Sequence, residues 1–264
     1  MVVPPQPAIR SHASTIVDQF SRQAELFAQS PALHNDAALT LLVDAGAPQA
    51  NDDVLDVACG PGSVVVAFAS RVRRSVGLDA TEAMLAQARS LASTRNLTNT
   101  EWHLGDVYCL PFADATFDIV SCRFAFHHFE TPERALAEMV RVCRPGGRIV
   151  LCDAVASDDP AQAAAFNRME KHRDPSTVAF RPLAFLRQLF QEAGLPGPII
   201  KSYQVPVERE RLIAASFPVD DDREGLRQLI DASVEGDAMG LGSRRDGDTV
   251  RFSYLAIVLV AVRP

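Results

Sequence analysis

The sequence has 264 residues, 47% of them apolar and 22% charged, which is enough apolar material for a sizeable core in one or two domains. Its formal net charge of −7 argues against a nucleic-acid partner, because phosphate binding usually needs a basic surface. The beginning of the chain lacks the apolar region of a signal peptide, and the apolar run over residues 255–262 is too short to cross a bilayer as a helix. The five cysteines show no C-x-x-C spacing. We therefore expect a cytoplasmic protein with reduced cysteines.

Two helices are predicted ahead of the first strand. Residues 4–12 are expected to form a flexible arm, and residues 14–29 a helix with Phe20 on its apolar stripe. A second helix, over residues 30–45, is expected to begin at Ser30, because serine is a favoured N-cap residue.

From residue 54 onward, strands and helices alternate. Seven strands are predicted, over residues 54–57, 75–79, 101–104, 118–123, 148–153, 199–205 and 251–262. Helices are predicted over 63–70, over 81–95 with Thr81 as N-cap, and from Thr131 to the turn Pro145-Gly146-Gly147. This alternation predicts an α/β fold with a doubly wound, mostly parallel sheet that binds ligands at the carboxyl ends of its strands.

The last third of the chain is less regular. Residues 159–173 are predicted to form an extra helix, and the loop over 174–177 is rich in turn formers. Because this segment follows the fifth strand, we expect it to be part of a mobile lid. A further helix is predicted over 181–193, and charged helical stretches are predicted within 206–249.

The most informative stretch is the turn after the first strand, in the run VLDVACGPG. Gly60 and Gly62 permit backbone angles and a close ligand approach that side chains would prevent, and the helix start that follows favours a carboxylate or a phosphate. A dinucleotide fingerprint would need glycine in place of Val65, so it is incomplete. Asp56 can accept hydrogen bonds from an amino group, and Asp79 at the next strand end can bind a ribose diol. A carboxylate, an ammonium and a ribose occur together in S-adenosylmethionine.

Four motifs in this order, DVACGPG at 56–62, GLD at 77–79, GD at 105–106 and LPF at 110–112, resemble those of class I S-adenosylmethionine-dependent methyltransferases. Within that class the sequence is similar to the type 11 branch, which includes ubiquinone/menaquinone C-methyltransferases and many small-molecule methyltransferases. The resemblance covers residues 54–155 well and the rest loosely. It implies a Rossmann-like seven-stranded sheet with an antiparallel last strand, N-terminal helices over the cofactor crevice and helical cap insertions over the substrate pocket.

The resemblance also implies roles for individual residues. Asp106 would accept a hydrogen bond from the adenine amino group, and Val107 would offer its backbone N–H. For Phe20, Met84 and Leu85, ligand contact and ordinary helix packing are both open. The predicted cofactor-binding set is Phe20, Asp56, Ala58, Gly60, Gly62, Asp79, Ala80, Met84, Asp106, Val107 and Arg123.

A loop with two adjacent histidines follows the fourth predicted strand, and in a doubly wound sheet it faces the reactive end of the cofactor. His128 is the candidate general base, because an unperturbed imidazole titrates near pH ~6.5, close to working pH. The alternative is that His127 and His128 shape and orient the loop. A metal site is not expected, since adjacent residues rarely aim at one ion and no third ligand is evident.

Taken together, the sequence predicts an enzyme that transfers the methyl group of S-adenosylmethionine to an oxygen, nitrogen or carbon nucleophile of a small molecule and leaves S-adenosylhomocysteine. Two alternatives are a non-catalytic S-adenosylmethionine-binding protein and a nicotinamide-dependent oxidoreductase. We expect a single domain over residues 1–264, as a monomer or homodimer without a membrane span. Within it, residues 1–50 hold the N-terminal helices, residues 51–155 the cofactor-binding core and residues 156–264 the cap insertions.

Overall fold

A mixed β-sheet forms the centre of the computed structural model, which describes residues 11–28, 36–195 and 197–264. Its strands are β1 Asp53–Val57, β2 Arg74–Asp79, β3 Thr100–Leu104, β4 Phe117–Arg123, β5 Cys143–Ala154, β6 Ile199–Glu208, β7 Arg244–Asp246 and β8 Thr249–Val262. The order across the sheet is β3-β2-β1-β4-β5-β8-β6, with β7 paired to β8. Strands β1 to β5 pair in parallel, whereas β8 is antiparallel to β5, β6 and β7. The predicted mostly parallel seven-stranded sheet with an antiparallel last strand is confirmed, and the three-residue β7 is an addition that was not predicted.

Helices cover both faces of this sheet. They are α1 His12–Ala28, α2 Asp36–Ala45, α3 Ser63–Ala69, α4 Glu82–Thr94, α5 Pro132–Val142, α6 Pro160–Arg173, α7 Leu183–Glu192, α8 Arg209–Ala214 and α9 Arg223–Ala232. Because side chains alternate along a strand, Leu55 and Val57 of β1 share a core with α5 and α7, while Val54 shares one with α2 and α3. Both faces are buried, which explains why the central strands read as nearly continuous apolar runs.

The cap formed by α6, α8 and α9 has an apolar core of its own. Phe166 and Met169 of α6 pack with Ile230 of α9 and with Phe252 of β8, and all four are almost fully buried. The loop that follows α6 was predicted to belong to a mobile lid, but Asp174 and its neighbours Ser176 and Thr177 are buried. The structure therefore presents this loop as a packed wall.

Several predicted boundaries differ from the structure for identifiable reasons. Helix α5 ends at Val142, and Pro145-Gly146-Gly147 lies inside β5, where the register shifts between the pairs Phe117–Cys143 and Ile119–Arg148. A side chain at Gly147 would put its Cβ within 2.7 Å of the Cys143 sulfur, so this glycine serves an irregular strand and does not end a helix. The predicted helix start at Ser30 and most of the predicted arm, residues 4–10, lie outside the described residues, while His12 is already helical.

The strand order places a crevice at β1. Strand β1 lies between β2 and β4, so the connections leave β1 in opposite directions and open a gap at the carboxyl ends of the strands. The crevice is therefore the first place to look for a ligand site.

Within residues 11–28, 36–195 and 197–264, no helix combines the length and apolar character needed to cross a membrane.

Candidate active site

A cavity of about 540 Å³ opens at the carboxyl ends of β1 to β4, with α1 as its outer wall. This volume is typical of small-molecule sites, and its lining is largely apolar with a few convergent polar groups. All the residues that the sequence assigned to the site, except Gly62, line it: Phe20, Asp56, Ala58, Gly60, Asp79, Ala80, Met84, Asp106, Val107, Arg123 and His128. Leu85, a further candidate for the apolar wall, instead packs with Cys59 and Val65.

The turn after β1 bends sharply because three of its residues are left-handed. Ala58, Gly60 and Gly62 have φ angles of 55°, 53° and 85°, respectively. The Gly60 amide donates to a carboxylate oxygen of Asp79 at 2.8 Å, and the Gly62 amide donates to the Cys59 carbonyl at 3.1 Å. The Gly60 amide therefore ties the turn to the end of β2, and the Gly62 amide closes the turn on itself.

The two glycines of this turn meet different surroundings. A Cβ added at Gly60 would have nothing within 4 Å, whereas one added at Gly62 would lie 2.8 Å from both the Ala88 Cβ and a Trp102 ring carbon. Gly62 therefore allows α4 and β3 to pack against the turn, while Gly60 faces the cavity.

Alanine substitutions are expected to separate these two roles. Gly60→Ala should lower the free energy of unfolding by about 1–2 kcal/mol, the usual cost of a left-handed non-glycine residue. Gly62→Ala should cost more, because the same backbone penalty is joined by steric overlap with Ala88 and Trp102. Urea denaturation monitored by circular dichroism measures both. Equal losses would contradict the assignment of Gly62 to close packing.

Asp79 ends β2 and organises two backbone segments at once. One carboxylate oxygen accepts from the Gly60 amide, and the other accepts from the Thr81 amide at 2.9 Å. Thr81 is the N-cap residue of α4, as predicted, although its side chain makes no capping hydrogen bond. Burial raises the pKa of Asp79 above its ordinary value, although the hydrogen bonds from Gly60 and Thr81 oppose that shift.

Asp56 lies on β1, the strand next to the one that Asp79 ends, and it is almost fully buried. One of its carboxylate oxygens accepts from the Ser121 hydroxyl at 2.7 Å. Burial raises the pKa of Asp56 to about 7, while the hydrogen bond from Ser121 and the charge of Arg123 hold it from rising further. A carboxyl at a cavity wall with a pKa raised this far is a candidate functional residue, and its ionised form can bind a cation.

The adjoining part of the cavity lies after β3. Asp106 is exposed and accepts from the Tyr108 amide at 2.9 Å. Val107, Ala80 and Met84 supply apolar surface next to it. This arrangement of one acceptor beside a flat apolar slot suits a planar ring that carries an amino group.

The loop after β4 carries the aromatic side of the cavity. Phe124 adopts a left-handed φ of 53°, and the Arg123 guanidinium lies 4.7 Å from the centre of its ring. A 3-10 turn over Phe126–His128 follows, and Phe129 completes this wall.

The two histidines of this turn have different surroundings. His127 is buried against Asp153, with Nδ1 2.8 Å from one carboxylate oxygen, and its ring stacks on Phe180 at 4.0 Å. It does not line the cavity, so it supports the loop from behind. His128 lines the cavity and meets the ring of Phe20 edge-on at 4.9 Å.

The environment of His128 changes the chemistry that the sequence suggested. Burial lowers its pKa from the usual 6.5 to about 3, and the neighbouring His127 adds to the shift. The candidate general base therefore does not have the ordinary imidazole pKa on which its selection rested. His128 remains neutral at working pH and is a weak base.

Helix α1 closes the cavity and is fastened at several points. The His12 imidazole donates to the His128 carbonyl at 2.8 Å, Gln19 donates to the Phe217 carbonyl, and Gln23 donates to Asp174. Phe20 lines the cavity and its ring packs on His128, so its packing role is observed, and its contact with a ligand stays a prediction.

The structure also brings in residues that sequence reasoning missed. His12, Ile16, Tyr108 and Phe129 line the cavity. The helical spacing of Ile16 and Phe20 was a usable signal, because residues four apart share a helix face. No group of three or more His, Cys, Asp or Glu residues in the described part of the chain is arranged to hold a metal ion.

Comparisons with known proteins agree with this geometry. The family model of a methyltransferase domain, Methyltransf_11, matches residues 55–151. The chain is 29% identical over 246 residues to the uncharacterized methyltransferase YcgJ of Bacillus subtilis (strain 168), which covers 92% of this chain and 97% of the relative. The crystal structure of YcgJ is similar with a TM-score of 0.79 at 26% identity, over 86% of this chain and 98% of that chain.

Two further relatives have more specific names. The chain is 32% identical over 176 residues to a demethylmenaquinone methyltransferase of Shouchella clausii (strain KSM-K16), covering 59% of this chain and 75% of the relative. It is 36% identical over 129 residues to a ubiquinone/menaquinone biosynthesis C-methyltransferase, UbiE, of Roseobacter denitrificans. That match covers 48% of this chain and 52% of the relative, so the chain spans about half the length of that protein.

Proposed function

This chain belongs to the class I S-adenosylmethionine-dependent methyltransferases, and from that premise we propose that it methylates a small molecule bound in the cavity under α1. The observation that carries the proposal is the composition of that cavity. Carboxylates at or just after the ends of β1, β2 and β3 face an aromatic wall made by α1 and the loop after β4. The part of the cavity lined by these carboxylates suits a polar cofactor, and the part lined by the aromatic wall suits an apolar acceptor.

The residues present fit S-adenosylmethionine. Asp56 would bind the ammonium group, Asp79 the ribose hydroxyls, and Asp106 the adenine amino group, with Ala80, Met84 and Val107 around the ring. The support for Asp56 is that it is a buried carboxyl at the cavity wall. Charge-assisted hydrogen bonds of this kind are the strong class.

The remaining residues of the cavity would position the acceptor. When bound, S-adenosylmethionine supplies an electrophilic methyl group on its sulfonium. When the methyl group passes to the acceptor, the electron pair of the broken carbon–sulfur bond stays on sulfur. Phe20, Phe124 and Phe129 exclude water from that region and hold the acceptor in one orientation. Orientation alone supplies a large share of catalysis in such displacements.

The charges around the cavity restrict the acceptor. Asp56, Asp79, Asp106 and Glu130 line it, whereas Arg123 is the one arginine and no lysine contributes among the described residues. An anionic acceptor would be repelled, so the proposal favours a neutral or cationic molecule with a largely apolar body. Since α1 of the N-terminal segment lines the cavity and is hydrogen-bonded to the cap through Gln23 and Asp174, we include the whole chain in one functional domain.

The proposal predicts selective binding of one cofactor. Isothermal titration calorimetry should show binding of S-adenosylmethionine and S-adenosylhomocysteine and none of NAD or NADP. Incubation with methyl-labelled S-adenosylmethionine and the small-molecule fraction of a cell extract should then transfer label to an organic product. Binding without transfer would favour a non-catalytic cofactor-binding protein, and binding of NAD instead would favour the oxidoreductase.

The raised pKa of Asp56 predicts pH-dependent cofactor binding. Only the ionised carboxyl attracts an ammonium group, so the Kd for S-adenosylmethionine should rise as pH falls below about 7, by about tenfold per pH unit well below the pKa. Calorimetry between about pH 5.5 and about pH 7 measures this slope. Asp56→Asn should bind more weakly and without the slope. A slope that persists in Asp56→Asn would assign it to another group, with Asp79 next in line.

A further inference from the structure

His128 is hydrogen-bonded to Ser176, which is itself hydrogen-bonded to Asp174. Both residues lie in the loop that follows α6, over residues 174–177, which we call the cap loop. Its Nδ1 lies 3.0 Å from the Ser176 carbonyl oxygen and 3.1 Å from the Ser176 hydroxyl. That hydroxyl in turn donates to the Asp174 carboxylate at 2.5 Å, and the Ser176 amide donates to the same oxygen at 2.9 Å. All three residues are almost fully buried. None of these contacts involves the residues proposed to hold the cofactor.

These contacts determine which nitrogen of His128 carries the proton. A carbonyl oxygen can only accept, so Nδ1 must be the protonated nitrogen that donates to it. The Ser176 hydroxyl proton is directed to Asp174, which leaves the hydroxyl oxygen to accept from Nδ1 as well. In a neutral imidazole, Nε2 then has the lone pair. No described residue forms a hydrogen bond with Nε2, and His128 lines the cavity.

Burial, together with the neighbouring His127, keeps His128 neutral. His127 lies beside it on the same turn, Asp153 approaches from β5, Asp174 and Arg173 from the cap, and His12 from α1. Burial outweighs the attraction of the two aspartates, so the imidazolium is disfavoured. For Asp174, burial alone would raise the pKa, but the charge of Arg173 and the hydrogen bonds from Ser176 oppose it, and the pKa is lowered. The pair is therefore an ionised carboxylate and a neutral imidazole.

We propose that Asp174 and Ser176 are positioning residues that hold His128 as the neutral Nδ1–H tautomer, so that Nε2 accepts a hydrogen bond from an O–H or N–H group of the methyl acceptor. This inference rests on the proposed function. It specifies an acceptor that carries a proton on its nucleophilic atom and has an apolar body. His128 orients this acceptor and does not strip its proton beforehand. An oxygen acceptor gives its proton to Nε2 only after the bond between sulfur and the methyl group has broken and the new bond to oxygen has formed, whereas an amine keeps the proton in its ammonium product.

Gln23 extends the same arrangement to α1. Its side-chain amide donates to the second oxygen of Asp174 at 3.2 Å, in a buried contact. The His12 imidazole also reaches the His128 carbonyl. The carboxylate of Asp174 therefore links α1, the outer wall of the cavity, to the Ser176 side chain that contacts Nδ1 of His128.

The tautomer can be read directly by nuclear magnetic resonance on protein labelled with ¹⁵N at histidine. In the wild-type chain with S-adenosylhomocysteine, Nδ1 of His128 should be protonated and Nε2 bare from about pH 5 to about pH 8. Asp174→Ala should produce a mixture of tautomers, and because the attraction of that carboxylate is lost, the pKa of His128 should fall further below its ordinary value. Asp174→Asn should largely restore the wild-type pattern, because an amide oxygen can still accept from Ser176.

A control in the same loop is Thr177→Val. The Thr177 hydroxyl is buried without a hydrogen-bond partner among the described residues, so its removal should leave the His128 spectrum unchanged. Should Asp174→Ala fail to fold, the wild-type spectrum still decides the question. A protonated Nε2 in wild type, or an unchanged spectrum in folded Asp174→Ala, would overturn the proposal.

Phenol and toluene test the acceptor contact. Both are small and apolar, but only phenol carries an O–H group. Phenol should move the ¹⁵N resonance of Nε2 in the S-adenosylhomocysteine complex, and toluene should not. Equal responses, or none, would contradict the role of Nε2. Failure of S-adenosylhomocysteine to bind at all would instead count against the proposed function, so the two failures are distinguishable.

Discussion

Replacing Asp79 by alanine is expected to weaken S-adenosylmethionine binding by about tenfold to a hundredfold. A hydrogen bond to a charged group contributes roughly 1.5–3 kcal/mol, and each 1.4 kcal/mol is about a factor of ten in Kd. Asp79 lies at the end of β2, lines the cavity and is buried. Calorimetric titration of the variant against wild type measures the loss.

The structure also requires a control for this substitution. Asp79 accepts from the Gly60 and Thr81 amides, so its removal could loosen the turn as well as remove a ligand contact. Asp79→Asn keeps an acceptor for one amide and loses the charge, and it should weaken binding while preserving the melting temperature better than alanine. Unchanged affinity in a folded Asp79→Ala protein would remove Asp79 from the proposed ribose site.

Replacing Glu170 by alanine is expected to lower the free energy of unfolding by about 3–5 kcal/mol. Glu170 is fully buried on α6, where it pairs with Arg173 at 2.8 Å and accepts from the Tyr254 hydroxyl at 2.6 Å. Burial opposes the charge on Arg173, but Glu170 and its neighbours outweigh that effect and raise the arginine pKa. Removing the carboxylate leaves a largely buried guanidinium, with 14% of its side chain exposed, without this partner, and breaking such a pair from one side is costly.

Loss of the Glu170 contact to Tyr254 should also disturb the active site, because a series of stacked rings connects Tyr254 to the cavity loop. Tyr254 stacks with Phe180, and Phe180 stacks with His127 behind the cavity loop. Chemical denaturation gives the free energy, and Glu170→Gln, which keeps an acceptor for Tyr254, should lose less. As a surface comparison, Glu82→Ala breaks the exposed pair with Arg89 and should change stability by less than about 1 kcal/mol. A similarly small loss for Glu170→Ala would show that the buried pair contributes little.

The proposed tautomer of His128 gives the cap a direct role in the chemistry. The cap loop supplies Asp174 and Ser176, and α1 supplies Gln23 and Phe20, all of which meet at or next to one imidazole. A methyl acceptor enclosed between these elements would be oriented by groups from three separate parts of the chain. Such orientation is the main contribution that the protein makes to a displacement reaction.

The sequence by itself determined the parts of this protein that depend on neighbouring residues. The turn with Gly60 and the carboxyls Asp56 and Asp79 could be predicted, because a strand, a glycine turn and a helix are encoded locally. The parallel order of βαβ units then required that the strand ends meet on one edge of the sheet. For that reason ten of the eleven predicted cofactor residues, as well as His128, line one cavity, although their roles there stay predictions.

Only the tertiary structure decided the properties that arise from burial and from contacts between distant segments. Gly62 differs from Gly60 because α4 and β3 pack against it, and the glycine pair before Arg148 sits within β5 because that strand is irregular. Burial lowers the pKa of His128 far below its ordinary value, and its Nδ1 contacts Ser176, a residue 48 positions away in the sequence. Desolvation and long-range hydrogen bonds have no local sequence signal, so the sequence could not show that this candidate base is buried and hydrogen-bonded through Nδ1.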